Sequence, residues 1–257
     1  MSEFIPTPER QKQILSLLSK AGRLSVAEIV EQFAISEATA RRDLETLSSQ
    51  GKVQRVHGGV IAIEQAPPEL PILQRENEQS DEKSRIGRVA AELISNGETV
   101  FLGSGTTVLE TAKNLRERKN LTVLTNSLPV LNAFAGIRDI TIVSLGGQLR
   151  DSELSFIGHI TEQALAELRV DKVVMGTRSV SLEHGLTNDY LPETLTDRAI
   201  LKIGREVIIV ADHTKVNRVS TALLAPLESV QTFVTDSNAD KKFLQALKRQ
   251  GINLIIV

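Results

Sequence analysis

The sequence predicts an α/β chain in two parts: a small helical start that ends in a hairpin, and a larger, mostly parallel sheet covered by helices on both faces. Three observations predict it. Two short amphipathic segments near the start each begin with a good helix cap, and only Ala34 and Ile35 separate them. From residue 98 onward, short continuous apolar runs rich in β-branched residues alternate with amphipathic segments, the pattern of strands buried on both faces. Between the two patterns lies EQAPPELP (64–71), whose three prolines bias the backbone to extended conformations. The division is therefore 1–60, a linker over 61–80, and 81–257.

In the first part, Ile14, Leu17 and Leu18 supply a supporting helix. Ser25 and Glu28 have capping-box spacing, followed by Val26, Ile29, Val30 and Phe33 as an apolar stripe. Ser36 caps the next helix, and Glu37 falls in its first turn, where the helix dipole favours negative charge. Ala40, Leu44 and Leu47 share one face of that helix; Ala38, Arg41, Arg42 and Glu45 share the other. Gly51 stands where a left-handed C-terminal cap is wanted, and KVQRVHGG then reads as a short strand closed by a Gly58-Gly59 turn. Two helices joined by so tight a turn form a helix-turn-helix, whose second helix can enter a DNA major groove; the basic hairpin makes it winged. The DNA-facing set is Ser36, Ala38, Thr39, Arg41 and Arg42 on the helix, with Lys52, Arg55 and His57 on the wing. Residues 1–60 carry eight Lys/Arg against seven Asp/Glu, so the argument rests on where the cations lie rather than on net charge. The plainer reading is a structural three-helix subdomain with a solvated arginine pair.

In the second part, Leu73–Asn96 reads as a helix carrying Ile86, Val89, Ala90 and Leu93 on one side. Strands are expected at 99–102, 121–125, 140–145, 171–176, 206–212, 231–236 and 252–257, with helices between them. Ligands of an open parallel sheet sit beyond the carboxyl ends of its strands. Those ends lead into Gly103-Ser104-Gly105-Thr106-Thr107, Asn126-Ser127, Gly146-Gly147 with Arg150 close behind, Thr177-Arg178-Ser179 and His213-Thr214-Lys215. Small and hydroxylic loops opening helices suit an anion, because glycine allows close approach and a helix N-terminus offers free N–H groups. Each loop alone is equally a plain strand-to-helix turn. GSGTT lacks the lysine of a phosphate-binding P-loop, and Val108 occupies the third position of a dinucleotide glycine fingerprint.

Composition narrows the classes further. Hydrophobic residues make up 41% of 257, enough for a sizeable core, and with no Trp and one Tyr that core is aliphatic. The absence of cysteine excludes disulfides and thiolate metal sites, and the four histidines lack metal-ligand spacing, so no metal and no cofactor is expected. No run of apolar residues is long enough to span a membrane and no leader pattern is visible, so a cytoplasmic location is expected. A net charge of -2 means that DNA binding must come from a local surface.

Arg10…Ile14…Leu17, Val26-Ala27-Glu28-Ile29, Ser36-x-x-Thr39-x-Arg41-Arg42-Asp43-Leu44 and Arg55-Val56-His57-Gly58-Gly59 together resemble the DeoR family of bacterial sugar-metabolism regulators. The resemblance continues through Ser104–Thr107, Thr125–Ser127, Gly146-Gly147, His184–Thr187 and Asp212–Lys215, and so covers nearly the whole chain. It implies a sensor domain similar to ribose-5-phosphate isomerase and glucosamine-phosphate deaminase, with a phosphorylated sugar as effector. The strand-end loops and the resemblance together give the expected effector set: Ser104, Gly105, Thr106, Thr107, Asn126, Ser127, Gly147, Arg178, Asp189 and Lys215. One stretch departs: Gly176-Thr177-Arg178-Ser179 stands where many relatives carry a small Gly-Ala-x-Gly turn. Arg178 either receives a second anionic group of the effector or pairs with a carboxylate such as Glu193 or Asp189.

The expected function is a ligand-responsive transcriptional regulator, a repressor of a sugar or carbohydrate operon acting as a homodimer or homotetramer on double-stranded operator DNA. The apolar helix at 83–94 or an exposed sheet edge is the expected self-association surface. The alternative is a sugar-phosphate isomerase or deaminase with an added DNA-binding module, using Asp189, Glu193 or Glu153 as general base.

Overall fold

The computed structural model describes residues 6–49, 52–56, 58–62, 64–65 and 70–257. The readings of Gly51 as a helix cap, of His57 as a wing residue and of the prolines at 67 and 68 lie outside them. The chain divides into two compact units, Met1–Glu64 and Gln65–Val257.

The first unit runs α1 (Thr7–Ala21), β1 (Arg23–Ser25), α2 (Val26–Phe33), α3 (Glu37–Ser49), β2 (Val53–Val56) and β3 (Gly59–Ala62). α2 opens with the expected reciprocal capping box: Ser25 Oγ accepts from the Glu28 N–H, and the Ser25 N–H donates to Glu28 Oε2. α2 ends at Ala34, whose left-handed φ of 50° turns the chain directly into α3. Ile14, Leu18, Val26, Ile29, Ala40, Leu44, Leu47, Val53 and Val60 form the core. Strand β1, too short for any periodicity, was not expected; it extends the hairpin to a three-stranded antiparallel sheet in the order β1-β3-β2. Gly59 makes this possible, since a Cβ there would lie 2.2 Å from the Leu24 carbonyl oxygen.

The second unit opens with α4 (Ile72–Arg75) and α5 (Ser80–Glu92). The single helix expected over 73–96 is thus broken, because Gln79 takes a left-handed φ of 49° between them. Ile72 and Arg75 are buried, so 72–80, expected as the end of the linker, belong to this unit. Then follow β4 (Thr99–Leu102), α6 (Thr106–Asn114), β5 (Leu121–Thr125), α7 (Leu128–Phe134), β6 (Ile140–Ser144), β7 (Gln148–Arg150), β8 (Ser155–Ile157), α8 (His159–Ala166) and β9 (Val170–Met175). The remainder is β10 (Ser179–Ser181), β11 (Gly185–Asn188), α9 (Leu191–Ile203), β12 (Gly204–Val210), β13 (Ala222–Ala225), β14 (Thr232–Thr235), α10 (Lys241–Arg249) and β15 (Asn253–Ile256).

Seven strands form one parallel sheet in the order β15-β14-β12-β9-β4-β5-β6. The chain leaves β4 toward one edge, returns to β9 on the other side of β4, and then proceeds to the opposite edge. Alternate residues feed two cores. Val100, Leu102, Val123, Val174, Ile208 and Val210 pack with α5, α6 and α7. Phe101, Leu124, Val173, Val207, Ile209 and Phe233 pack on the other face with α8, α9 and α10. The apolar face of α5, expected as one candidate for self-association, is instead consumed internally. Ile86 and Ala90 are fully buried, and a Cβ on Gly87 would sit 2.6 Å from the Glu110 main chain on α6. Two small antiparallel pieces, the β7–β8 hairpin and the β10-β11-β13 sheet, were not expected; their strands are three or four residues long.

Candidate functional site

On the first unit, α3 turns Ala40, Leu44 and Leu47 inward, which leaves Ser36, Ala38, Arg41 and Arg42 exposed. Ser36 Oγ accepts from the Thr39 N–H at 3.2 Å and shares a hydrogen with Thr39 Oγ1 at 2.8 Å, so both hydroxyls sit at the start of the helix. Arg41 pairs with Glu37 one turn earlier at 2.5 Å, an exposed pair that water screens heavily and DNA phosphate can replace. Arg55 from β2 donates to the Arg41 main-chain oxygen at 3.5 Å, which brings a wing cation beside the helix cations. Lys52 is exposed at the start of the wing. All the described members of the expected DNA-facing set therefore lie on α3 and the adjoining hairpin.

Sequence reading missed what holds α3 from behind. Asp43 and Arg10 are 3% and 5% exposed, and Arg10 Nε meets Asp43 Oδ2 at 2.6 Å. Gln11 Nε2 donates to the other carboxylate oxygen at 3.2 Å. The signal was available: Asp43 interrupts the apolar face of α3, and Arg10 precedes Ile14 by one turn on α1.

On the second unit, β4 and β9 are the neighbouring strands at which the strand order reverses, and their carboxyl ends open a cleft. Ser104, Gly105, Thr106 and Thr107 form its floor at the N-terminus of α6, with Gly105 at a φ of 113°. Thr177 and Arg178 enter from β9, Asn188 and Asp189 from β11, Glu193 and Asp197 from α9, and Asp212, Thr214 and Lys215 from the loop after β12. Arg75, Glu78, Gln79 and Lys83 close it from the segment that precedes the sheet.

The charges in this cleft are organised as pairs. Arg75 grips both oxygens of Glu153 at 2.5 Å. Arg150 pairs with Glu193, whose other oxygen accepts from Ser155 Oγ at 2.9 Å. Arg178 Nε donates to Asp189 at 2.9 Å, so the second of the two expectations for Arg178 is met. Asp212 accepts from the N–H and hydroxyl of Thr214. Lys83 Nζ donates to the Arg75 main-chain oxygen at 2.8 Å. Burial pushes the Lys83 ammonium below the usual lysine range; Asp212 and Glu78 oppose the shift, and Lys215 and Arg75 add to it.

Asp197 is buried in the cleft wall. Burial raises its carboxyl well above the ordinary range, and Glu193 raises it further, while the Asn188 Nδ2 hydrogen bond at 2.8 Å and Arg150 oppose the rise. An acid whose folded pKa is raised adds stability below the unfolded pKa and loses it as pH rises through the folded one. Above about pH 4 the wild type should therefore lose stability through this group with rising pH, and Asp197→Asn should not. Melting curves of both proteins across pH check this; parallel profiles would contradict it.

The structure brings Ser104, Gly105, Thr106, Thr107, Arg178, Asp189 and Lys215 to one cleft. It does not bring Asn126, Ser127 or Gly147 there. Asn126 Nδ2 ties down the Phe156 carbonyl, and Ser127 Oγ caps α7 by accepting from the Val130 N–H. Gly147 passes so close to α8 that a Cβ would meet Thr161 Oγ1 at 2.2 Å. Their strands, β5 and β6, lie on the side of β4 away from the order reversal. Lys83 was missed because it precedes the first strand of the sheet, where no strand-end rule reaches. Its spacing from Ile86 and Ala90 marks a cation within a buried stripe.

Among the described residues, no helix is long and apolar enough to cross a membrane, and no group of His, Asp and Glu is arranged to hold a metal ion.

Comparison with known proteins assigns a family model to each of the two units. Residues 10–66 match the DeoR-like helix-turn-helix domain, and residues 78–237 match the DeoR C terminal sensor domain. The transcriptional repressor AccR of Agrobacterium fabrum is 36% identical over 91% of both chains. The glycerol-3-phosphate regulon repressor of Escherichia coli is 33% identical over 96% of this chain and 97% of its own. Among solved structures, ribose 5-phosphate isomerase A from Neisseria gonorrhoeae aligns with a TM-score of 0.39 at 18% identity, over 53% of each chain. With a helix-turn-helix unit followed by a sensor unit, the chain belongs to the DeoR family of transcriptional regulators.

Proposed function

We propose that this regulator represses a carbohydrate-catabolic operon in the cytoplasm and that a phosphorylated sugar in the second-unit cleft shifts it between operator-binding and non-binding states. The observation that carries the effector half is the cleft at the strand-order reversal, where the free N–H groups at Thr106–Thr107 face a site lined by Lys83 and Lys215. The phosphate belongs at that end, and the hydroxyls of the sugar belong against Asn188, Asp189 and Asp197. Binding rather than turnover is favoured because Glu153, Asp189 and Glu193, the carboxylates considered as general bases, are each held by an arginine.

Thermal-shift screening of a sugar-phosphate panel, paired with operator affinity on a duplex selected from a randomised pool, tests the effector half. Lys215→Ala removes an ionic hydrogen bond and should weaken binding of the best stabiliser by roughly 1.5–3 kcal/mol while operator affinity stays unchanged. Calorimetry giving wild-type affinity would move the phosphate elsewhere. Rapid conversion of any panel member would overturn the assignment of binding without turnover.

The operator half rests on Arg41 and Arg42. If either reads guanine, its alanine variant should lose roughly 1–3 kcal/mol and relax one base position; if it meets phosphate, all sequences should weaken alike and the salt dependence should flatten. Fluorescence anisotropy at several salt concentrations separates these, and unchanged affinity of the double variant removes α3 as the recognition helix. One winged unit covers a half-site, so two or four copies are proposed to act together. Light scattering of a fully active monomer at micromolar concentration would refute this.

A further inference from the structure

Lys83 lies where the cleft meets the chain that leads in from the DNA-reading unit. Its side chain is almost fully buried, it lines the cleft with Thr106 and Lys215, and its Nζ donates 2.8 Å to the Arg75 main-chain oxygen. Arg75 in turn anchors the segment 70–79. Its Nε donates to the Leu70 carbonyl at 2.8 Å, and its guanidinium holds Glu153. The Ile72 N–H adds a bond of 2.7 Å to the Ser152 carbonyl. Glu78 and Gln79, at the end of the same segment, form part of the cleft wall. Three ties thus fasten this stretch, and two of them, the Lys83 ammonium and the Arg75–Glu153 pair, also line the cleft.

The chemistry sets up a competition. The Arg75 carbonyl is a neutral acceptor, whereas a phosphate oxygen at Thr106–Thr107 carries charge, so the ammonium gains an ion–ion attraction there in place of an ion–dipole one at the carbonyl. Lys83 has Asp212, Lys215, Arg75 and Glu78 as charged neighbours, two of each sign, so an arriving phosphate supplies the ammonium with a further anionic acceptor.

We propose that Lys83 couples cleft occupancy to the segment 70–79: a bound anion draws the ammonium from the Arg75 carbonyl, and the chain leading back to the DNA-reading unit loosens at Arg75. This rests on the reading of the cleft as an effector site. Lys83 is here a positioning residue for the signal as well as an anion contact.

The test uses the full chain and, as probe, an equimolar mixture of ribose 5-phosphate, fructose 6-phosphate, glucose 6-phosphate and glycerol 3-phosphate. In the wild type the mixture should raise the melting temperature, speed amide exchange over 72–78 and weaken operator affinity about tenfold, a common size for coupling between sites. Lys83→Met keeps the apolar stem and removes the ammonium. At saturating probe it should still be stabilised, while exchange over 72–78 and operator affinity stay constant. Lys83→Arg, which restores the charge, should restore a shift in operator affinity. A Lys83→Met protein that still loses operator affinity tenfold overturns the coupling alone. A wild type that the mixture neither stabilises nor shifts overturns the effector reading and the coupling together. Should Lys83→Met fail to fold, the wild type decides: stabilisation with unchanged exchange over 72–78 overturns the proposal.

Discussion

Asp43→Ala is expected to cost the first unit roughly 3–5 kcal/mol, the usual penalty for removing one partner of a buried ion pair. Arg10 would be left 5% exposed, with its Nε deprived of the 2.6 Å carboxylate partner. A unit of this size, Met1–Glu64, has a total stability of only about 3–10 kcal/mol, so much of that reserve would go. Operator binding should fall with it, although Asp43 faces away from the DNA-reading side of α3. Salt should restore little, because buried pairs are weakly screened. The double variant Arg10→Met/Asp43→Leu separates loss of the pair from exposure of a lone charge; it should recover most of the stability. Denaturant titration of the three proteins checks this, and a single variant within about 1 kcal/mol of wild type would mean that the pair contributes no more than a surface contact.

Gly147→Ala is the second large effect, expected at roughly 2–4 kcal/mol against the second unit. Two causes add. The residue holds a φ of 153°, outside the range comfortable for a side chain, and its Cβ would lie 2.2 Å from Thr161 Oγ1 and 2.9 Å from the Ile157 carbonyl. Thr161 cannot retreat freely, since its hydroxyl donates to the Gly146 carbonyl at 2.8 Å from a fully buried position. If Gly147 were instead an effector contact, the same variant would melt like wild type and lose ligand affinity. A lowered melting temperature with unchanged affinity of the folded protein therefore separates the two roles.

That contrast shows what the sequence makes legible. The helix-turn-helix could be read almost residue by residue, because caps, apolar spacing and turn length are local properties. Ser25–Glu28, Ala34 and the inward Ala40, Leu44 and Leu47 all fall where the pattern puts them. The order of strands and helices in the second unit was legible for the same reason. Their arrangement across the sheet was not, since strand order depends on long-range pairing. Hence loops after every strand looked equivalent, whereas in the parallel sheet it is those after β4, β9 and β12 that reach the cleft. Gly147 and Ser127 carry the residue types of an anion site while serving close packing and a helix cap. Conversely, Arg75, Lys83 and Asp197 looked like ordinary members of amphipathic helices; what distinguishes them is a buried position on the inner face.

The strand-order reversal has a consequence for how the protein comes into being. The pairs that frame the cleft join β4 to β9 and β9 to β12, so residues such as Val100 and Lys172 must meet across a long stretch of chain. Contacts of that sequence separation form slowly, whereas the first unit is built from near neighbours. During synthesis from the amino end, domains tend to fold in order as they emerge. A nascent chain thus completes its helix-turn-helix unit while much of the sensor domain is still being polymerised. The sensor sheet is the last part the molecule completes, and a chain stalled before residue 210 would carry the helix-turn-helix unit with that sheet unfinished.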